Sequence, residues 1–391
     1  MTKKRIGIGI ILAIVLGAGA FIIAGILEPS LDPDFERNLT AASPTETQQL
    51  IAEEAEKLGV TALSVTVIDG DSDPQNLYFG RAHEGGVMQV ASLSKAVAST
   101  VILMVAEARS VGIDDDIRDQ IRSLDIASLE GGDRPITLRQ LLSHTTGASQ
   151  SGYPGYPRYG EVPDTVDVIN APPRLIESQL TFDGEPGKFR YSGGGYTIAQ
   201  LWAEEVTGKP FEAIAEEVLL APLGMNQSTF TQPVERDGIA PLEIVGADAG
   251  FDPFGGVFSS LDDDWHIYPE KAAAGLWTTS QDYARFVAAV MDAAAGAENT
   301  IPTQIASEMI KPFAKTGWGP DSYYGLGVMV TTAGDSGILE VSHTGANAGY
   351  RSLFVVQPAT DDTERRVVVV SANTASAQYL NKAIGDALIA R

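Results

Sequence analysis

Apolar and polar positions change period several times along the chain, and each change marks an element. Ile6 to Leu27 is an uncharged run of 22 residues led by Lys3-Lys4-Arg5. As a helix it would be about 33 Å long, enough for a bilayer hydrocarbon core of about 30 Å. Ser43-Pro44-Thr45-Glu46 carries a capping-box pattern with proline at the first helical position, which predicts a helix to about Leu58-Gly59. Thr61 to Asp69, rich in valine and threonine, reads as a strand, with Leu77 to His83 as its hairpin partner. Ala96 to Ala106 is apolar nearly all round, the pattern of a buried central helix. Helical patterns recur at Tyr196 to Thr207 and Glu212 to Leu219. The C-terminal third supplies strands at Tyr324 to Thr331, Gly337 to Val341, Tyr350 to Gln357 and Arg366 to Ser371, then a last helix from about Ser376 to Ile389. The first and last thirds therefore predict one antiparallel sheet with helices on its faces, and a mostly helical region inserted between them: an α+β fold.

The basic flank ahead of the N-terminal run predicts a cytoplasmic N-terminus and an exported remainder. Ala18-Gly19-Ala20 could serve as a cleavage site, but cleavage there would leave Phe21-Ile22-Ile23-Ala24 as an apolar mature end, which favours an uncleaved anchor. The expected organisation is a membrane helix over 1–27, a Pro/Asp-rich linker over 28–42 and a catalytic domain over 43–391, extracytoplasmic or periplasmic in location. The whole chain carries −24, and residues 1–27 hold three cations and no acid, so the remainder carries −27. A domain that acidic does not seek nucleic acid or anionic lipid by electrostatics. There is no cysteine, which excludes thiol catalysis and disulfides. His83, His144, His266 and His343 show no metal-ligand spacing, and His144 in its turn-rich segment reads as structural. No metal, nucleotide or other cofactor is expected.

The candidate chemistry begins at Ser92-Leu93-Ser94-Lys95. Residues three apart on a helix are neighbours, about 5–6 Å between Cβ atoms. A lysine buried enough to lose its proton can activate a serine hydroxyl that is inert at neutral pH. At the helix N-terminus Ser92 would also meet free backbone N–H groups able to receive negative charge. Two later segments extend the pattern: Tyr191-Ser192-Gly193-Gly194-Gly195-Tyr196 after the Pro186-Gly187 turn, and His343-Thr344-Gly345.

In order and spacing these segments resemble the serine β-lactamase and penicillin-binding-protein superfamily, in the branch of class C β-lactamases, D-alanyl-D-alanine carboxypeptidases and related esterases. Ile136 to Gly147, Pro222-Leu223-Gly224-Met225 and Gly275 to Ser280 read the same way, so the resemblance covers about nine tenths of the chain, from Pro44 to Arg391. It implies a β-lactamase/transpeptidase-like fold that gathers the three motifs in one cleft. Ser92 is then the nucleophile, Lys95 the base, and Tyr191 the phenol that shuttles protons. His343, Thr344 and Gly345 line the substrate side, the glycine letting the substrate backbone approach closely, and the N–H groups of Ser92 and Ala346 form the oxyanion hole. The family's second motif is commonly Y-x-N; here Gly193 replaces the amide that would bind an acylamido side chain. That departure favours an esterase or a D-amino-acid peptidase or carboxypeptidase over a β-lactamase, with a small ester, peptide or cell-wall fragment as substrate. The alternative is a cell-envelope binding or sensor protein that keeps the fold without turnover. Ser149 to Arg174 and Ala247 to Glu270, the latter carrying Phe251, Phe254, Phe258, Trp265, His266 and Tyr268, are expected either to form an aromatic cleft rim or simply to cover the core.

Overall fold

The computed structural model describes residues 30–170, 178–232, 243–247, 265–334, 337–360 and 363–391. The N-terminal apolar run and Phe251, Phe254 and Phe258 lie outside the described residues. Two short helices open the described chain: α1 (Phe35–Ala41) and α2 (Pro44–Lys57). Ser43 and Glu46 cap α2 reciprocally, the serine side chain accepting from the Glu46 N–H and the glutamate accepting from the Ser43 N–H. Part of the stretch expected as a linker is thus helical, with Phe35 and Leu39 buried against the domain.

The central sheet has eight strands: β1 (Ala62–Asp69), β2 (Gln75–Gly80), β3 (Ala314–Lys315), β4 (Ser322–Tyr324), β5 (Met329–Thr332), β6 (Ile338–Asn347), β7 (Tyr350–Gln357) and β8 (Arg366–Ala372). Their order is β2-β1-β8-β7-β6-β5-β4-β3, and every pairing is antiparallel. The hairpin partner of β1 lies slightly earlier than Leu77 to His83 because Gly80, at φ +62°, already turns the chain. The single strand expected over Tyr324 to Thr331 is instead two, β4 and β5. Gly325 and Gly327 break it, since a Cβ at Gly325 would lie 2.0 Å from Met309 O and one at Gly327 2.8 Å from Lys95 O. That turn presses directly on the helix carrying Lys95.

The run Val367 to Val370 does not alternate apolar with polar because both faces of the sheet are covered. Val367 and Val369 join the large core around α3 (Ser94–Ala108), while Val368 and Val370 join a second core with α1, α2 and α8 (Gln378–Ile389). In α3 every residue from Ser94 to Leu103 is buried, and full burial of each valine, leucine or isoleucine contributes about 1.5–3 kcal/mol. Around α3 pack α5 (Gly193–Thr207) and α6 (Lys271–Ala274), with α4 (Leu138–Leu142) against α5, while α7 (Ser280–Ala294) lies against β1 and β8. One further geometric fact positions the site. β5 pairs with β6 only over Ile338 to Ser342, so among the described residues no strand lies on that edge of the second half of β6.

Candidate active site

Ser92 lies in a single 3-10 turn, Ala91–Leu93, immediately before α3. Ala91 takes φ +51°, a conformation costly for any residue but glycine, and such strain persists only where the surroundings hold it. Those restraints are visible on both sides. Ser352 Oγ donates to Val90 O at 2.7 Å, Tyr283 Oη donates to Leu93 O at 2.9 Å, and the Leu276 N–H donates to Ser94 Oγ at 2.9 Å. The Ser92 segment is therefore clamped between the sheet and α7.

Lys95 Nζ sits 3.1 Å from Ser92 Oγ and donates to Ala273 O, on α6, at 2.8 Å. The rings of Tyr191 and Tyr196 flank it, with centroids 5.0 and 5.4 Å away. Among the described residues no carboxylate pairs with the ammonium, and burial brings its pKa down from the ordinary lysine range to about 7. A substantial fraction of neutral amine, with its lone pair free for the Ser92 proton, therefore exists at neutral pH.

Tyr191 precedes α5, whose N-cap Ser192 accepts from the Gly195 N–H at 3.0 Å. Burial raises the Tyr191 pKa, a hydrogen bond with Ser92 opposing that rise only in part. It is a phenol at neutral pH, suited to give a proton and not to act as a standing base. His144 supports it from below: its Nδ1 accepts from the Ser192 N–H at 3.1 Å, and its ring lies 4.4 Å from that of Tyr191. Burial and the nearby Lys95 hold His144 neutral, its pKa well below the usual histidine range. The residue read as structural from sequence thus props the second motif. Nothing in its turn-rich surroundings pointed to that neighbour.

The third motif runs along the open edge of β6. Counting from the two-residue turn Ala348-Gly349, Asn347 and Gly345 bond across to β7, so the N–H and C=O of Thr344 and Ala346 point to the open edge. The Thr344 carbonyl is taken by His343 Nδ1 at 2.7 Å. Since that nitrogen must be the donor, Nε2 accepts from Tyr324 Oη at 2.8 Å. Burial lowers the His343 pKa to about 3, so the ring is neutral. Its side chain is buried with both nitrogens engaged internally, while Thr344 and Ala346 are exposed. Gly345 also packs against the chain itself. A Cβ there would stand 2.2 Å from Val90 O and 2.2 Å from Ser352 Oγ. A close approach that requires glycine is thus made by the chain's own Ser92 segment, which brings the Ala346 edge beside Ser92. Among the described residues no group of three His, Asp or Glu side chains could hold a metal ion.

A sequence model of the family described as Beta-lactamase matches residues 47–390. The chain belongs to the beta-lactamase family. Its fold is the β-lactamase/transpeptidase-like one. The octameric penicillin-binding protein homologue from Pyrococcus abyssi superimposes with a TM-score of 0.67 at 19% identity, covering 89% of this chain and 77% of that one. A D-stereospecific amidohydrolase from Streptomyces sp. gives 0.64 at 22% identity, covering 88% and 98%. Among curated proteins, lovastatin esterase from Penicillium rubens is 26% identical over 189 residues, 44% of this chain and 45% of the esterase. The chain thus matches about half the length of that relative.

This beta-lactamase family member departs from the common pattern at Gly193, and the structure shows what takes up the space. Gly193 is buried, and a Cβ on it would lie 2.9 Å from Cε2 of Tyr153. The Tyr153 ring, tied by a 2.8 Å hydrogen bond between its hydroxyl and Thr197 Oγ1, covers the position where the amide would stand. Of the aromatic rim expected from sequence, Trp265, His266 and Tyr268 are buried and pack inward. The exposed ring beside the site is another one, Trp318, whose ring centroid is 6.2 Å from that of Tyr191. Sequence reasoning passed over it because a lone tryptophan in a Gly/Pro turn carries no motif.

Proposed function

We propose that the chain is a serine hydrolase that opens ester or amide carbonyls through a Ser92 acyl-enzyme, with esters and D-amino-acid amides or peptides preferred over β-lactams. The observation that carries this is the desolvated Lys95 amine, with no carboxylate partner among the described residues, 3.1 Å from Ser92 Oγ. In acylation the Ser92 Oγ–C bond forms while its proton passes to Lys95 Nζ. The carbonyl oxygen takes the charge toward the Ser92 and Ala346 N–H groups. The C–O or C–N bond to the leaving group then breaks, Tyr191 gives that atom its proton, and Lys95 restores the phenol. Water repeats the sequence in reverse to release the acid. His343 enters as a neutral ring that fixes the Thr344 carbonyl and Tyr324.

The preference for esters and D-amino-acid amides or peptides over β-lactams rests on Tyr153, which fills the place of an amide that would hold an acylamido group. The lovastatin esterase likeness and the fold shared with a D-stereospecific amidohydrolase agree with it. Export and anchoring by residues 1–27, with the catalytic domain facing cell-envelope substrates, belong to the same proposal and are supported by the basic flank and the apolar run. The test is a panel of a butyrate ester, a D-amino-acid amide and a chromogenic cephalosporin, run on the protein and its Ser92→Ala variant. Ser92-dependent turnover of the ester or amide above the cephalosporin is the expected outcome. A single round of acylation with no release would place the protein among non-turnover binders instead.

A further inference from the structure

Trp318 is 59% exposed, an unusual state for the largest apolar side chain, and it is held there by design of its turn. Gly317 takes φ +78°, the Trp318 N–H donates to Thr316 Oγ1 at 3.2 Å, and the Thr316 N–H donates to Ser322 O at 3.0 Å. One edge of the indole is supported by Phe189, T-shaped at 5.1 Å and 89°. Phe189 in turn packs on Tyr324 at 5.7 Å and on His144 at 5.9 Å, so the indole caps an aromatic stack rooted under the site. The Tyr191 ring lies 6.2 Å away, and its phenol interacts with the Ser92 hydroxyl. The atom that leaves the tetrahedral carbon must come within about 3 Å of that phenol to receive its proton. A group attached to the leaving atom that runs along the Tyr191 ring meets the indole. The oxyanion and the rest of the acyl group are directed instead to the open edge of β6.

Resting on the acyl-enzyme reading above, we propose that Trp318, braced by Phe189, is the platform for the substrate's leaving group and selects alcohols or amines carrying an aromatic or bulky apolar substituent. A preorganised ring gains stacking and burial with such a group without first having to be ordered. The contact exists only until the leaving group departs. It therefore acts on acylation and is silent in hydrolysis of the acyl-enzyme.

Benzyl and ethyl butyrate test this, since they share one acyl group and have leaving alcohols of similar basicity. With the full chain, Trp318→Ala is expected to lower kcat/KM for benzyl butyrate about tenfold while leaving ethyl butyrate within about twofold. Trp318→Phe should retain most of the benzyl preference, and the release rate of the common butyryl-enzyme should be unchanged in both variants. An equal fall on both esters, no fall on either, or a slowed release step would overturn the platform. A parent protein that takes up no fluorophosphonate on Ser92 and hydrolyses neither ester would overturn the acyl-enzyme reading itself, and the platform with it.

Discussion

Replacing Gly345 by alanine should disable the site through one methyl group that never meets substrate. In the folded protein that carbon would stand 2.2 Å from Val90 O and 2.2 Å from Ser352 Oγ. The serine hydroxyl can swing away, but Val90 O is backbone, fixed by the strained Ala91 beside it. Restoring an ordinary contact of about 3.5 Å requires β6 and the nucleophile turn to part by roughly 1 Å. Overpacking of that kind costs about 1–3 kcal/mol. At roughly 2–4 °C per kcal/mol or less for a chain this long, the melting temperature falls only modestly and the domain stays folded. Activity should suffer far more, because the displacement carries the Ala346 N–H away from Ser92. Loss of one oxyanion donor costs about 10²–10³ in kcat. The assay is kcat/KM on p-nitrophenyl butyrate, with thermal unfolding and near-UV circular dichroism as controls for folding. A folded Gly345→Ala protein within about threefold of the parent would refute the reasoning that this glycine sets the spacing of the oxyanion site.

Further expectations follow from the same geometry. Lys95 must be neutral to accept the Ser92 proton, so kcat/KM should rise with pH to a plateau above about 7. His343, at about 3, and His144, lower than usual, add no step near neutrality, and a profile that is flat or falls through pH 7 would exclude Lys95 as base. Gly193→Asn alone should lose stability against the Tyr153 ring, whereas Gly193→Asn with Tyr153→Ala should gain cephalosporin turnover by about tenfold over the parent; a spectrophotometric assay decides, and no gain would mean that Tyr153 does not set the preference. His144→Phe leaves the buried Ser192 N–H without its acceptor at a cost of about 1–3 kcal/mol, read as a lower melting temperature that His144→Asn should partly restore; equal melting temperatures for all three would remove the prop.

The parts of this molecule legible in the sequence are those governed by local periodicity or by a motif. The capping box at Ser43 to Glu46 reads directly as the start of α2, and the strand at Tyr350 to Gln357 has the bounds its apolar run suggests. Val367 to Val370 reads as a strand, though which valine faces which core depends on helices at opposite ends of the chain. Tyr324 to Thr331 reads as one continuous strand because nothing local reveals that Met309 O and Lys95 O crowd Gly325 and Gly327. The same limit applies in the site. Ser92, Lys95, Tyr191 and the His343 to Gly345 segment announce themselves by type and spacing and come together in one place. Ala273, which accepts from Lys95, Tyr324, which donates to His343, and Tyr153, which covers Gly193, are ordinary residues in their own segments. Only long-range packing gives them a role, and a single sequence does not record it.

The most direct test of the central claim is intact-mass analysis of the full chain and its Ser92→Ala variant, quenched within seconds of mixing with p-nitrophenyl butyrate. The account predicts one butyryl group on the parent, located at Ser92, that clears as substrate is exhausted, and neither adduct nor turnover in the variant. Turnover that persists in Ser92→Ala, or turnover by the parent with its acyl group on another residue, would contradict it.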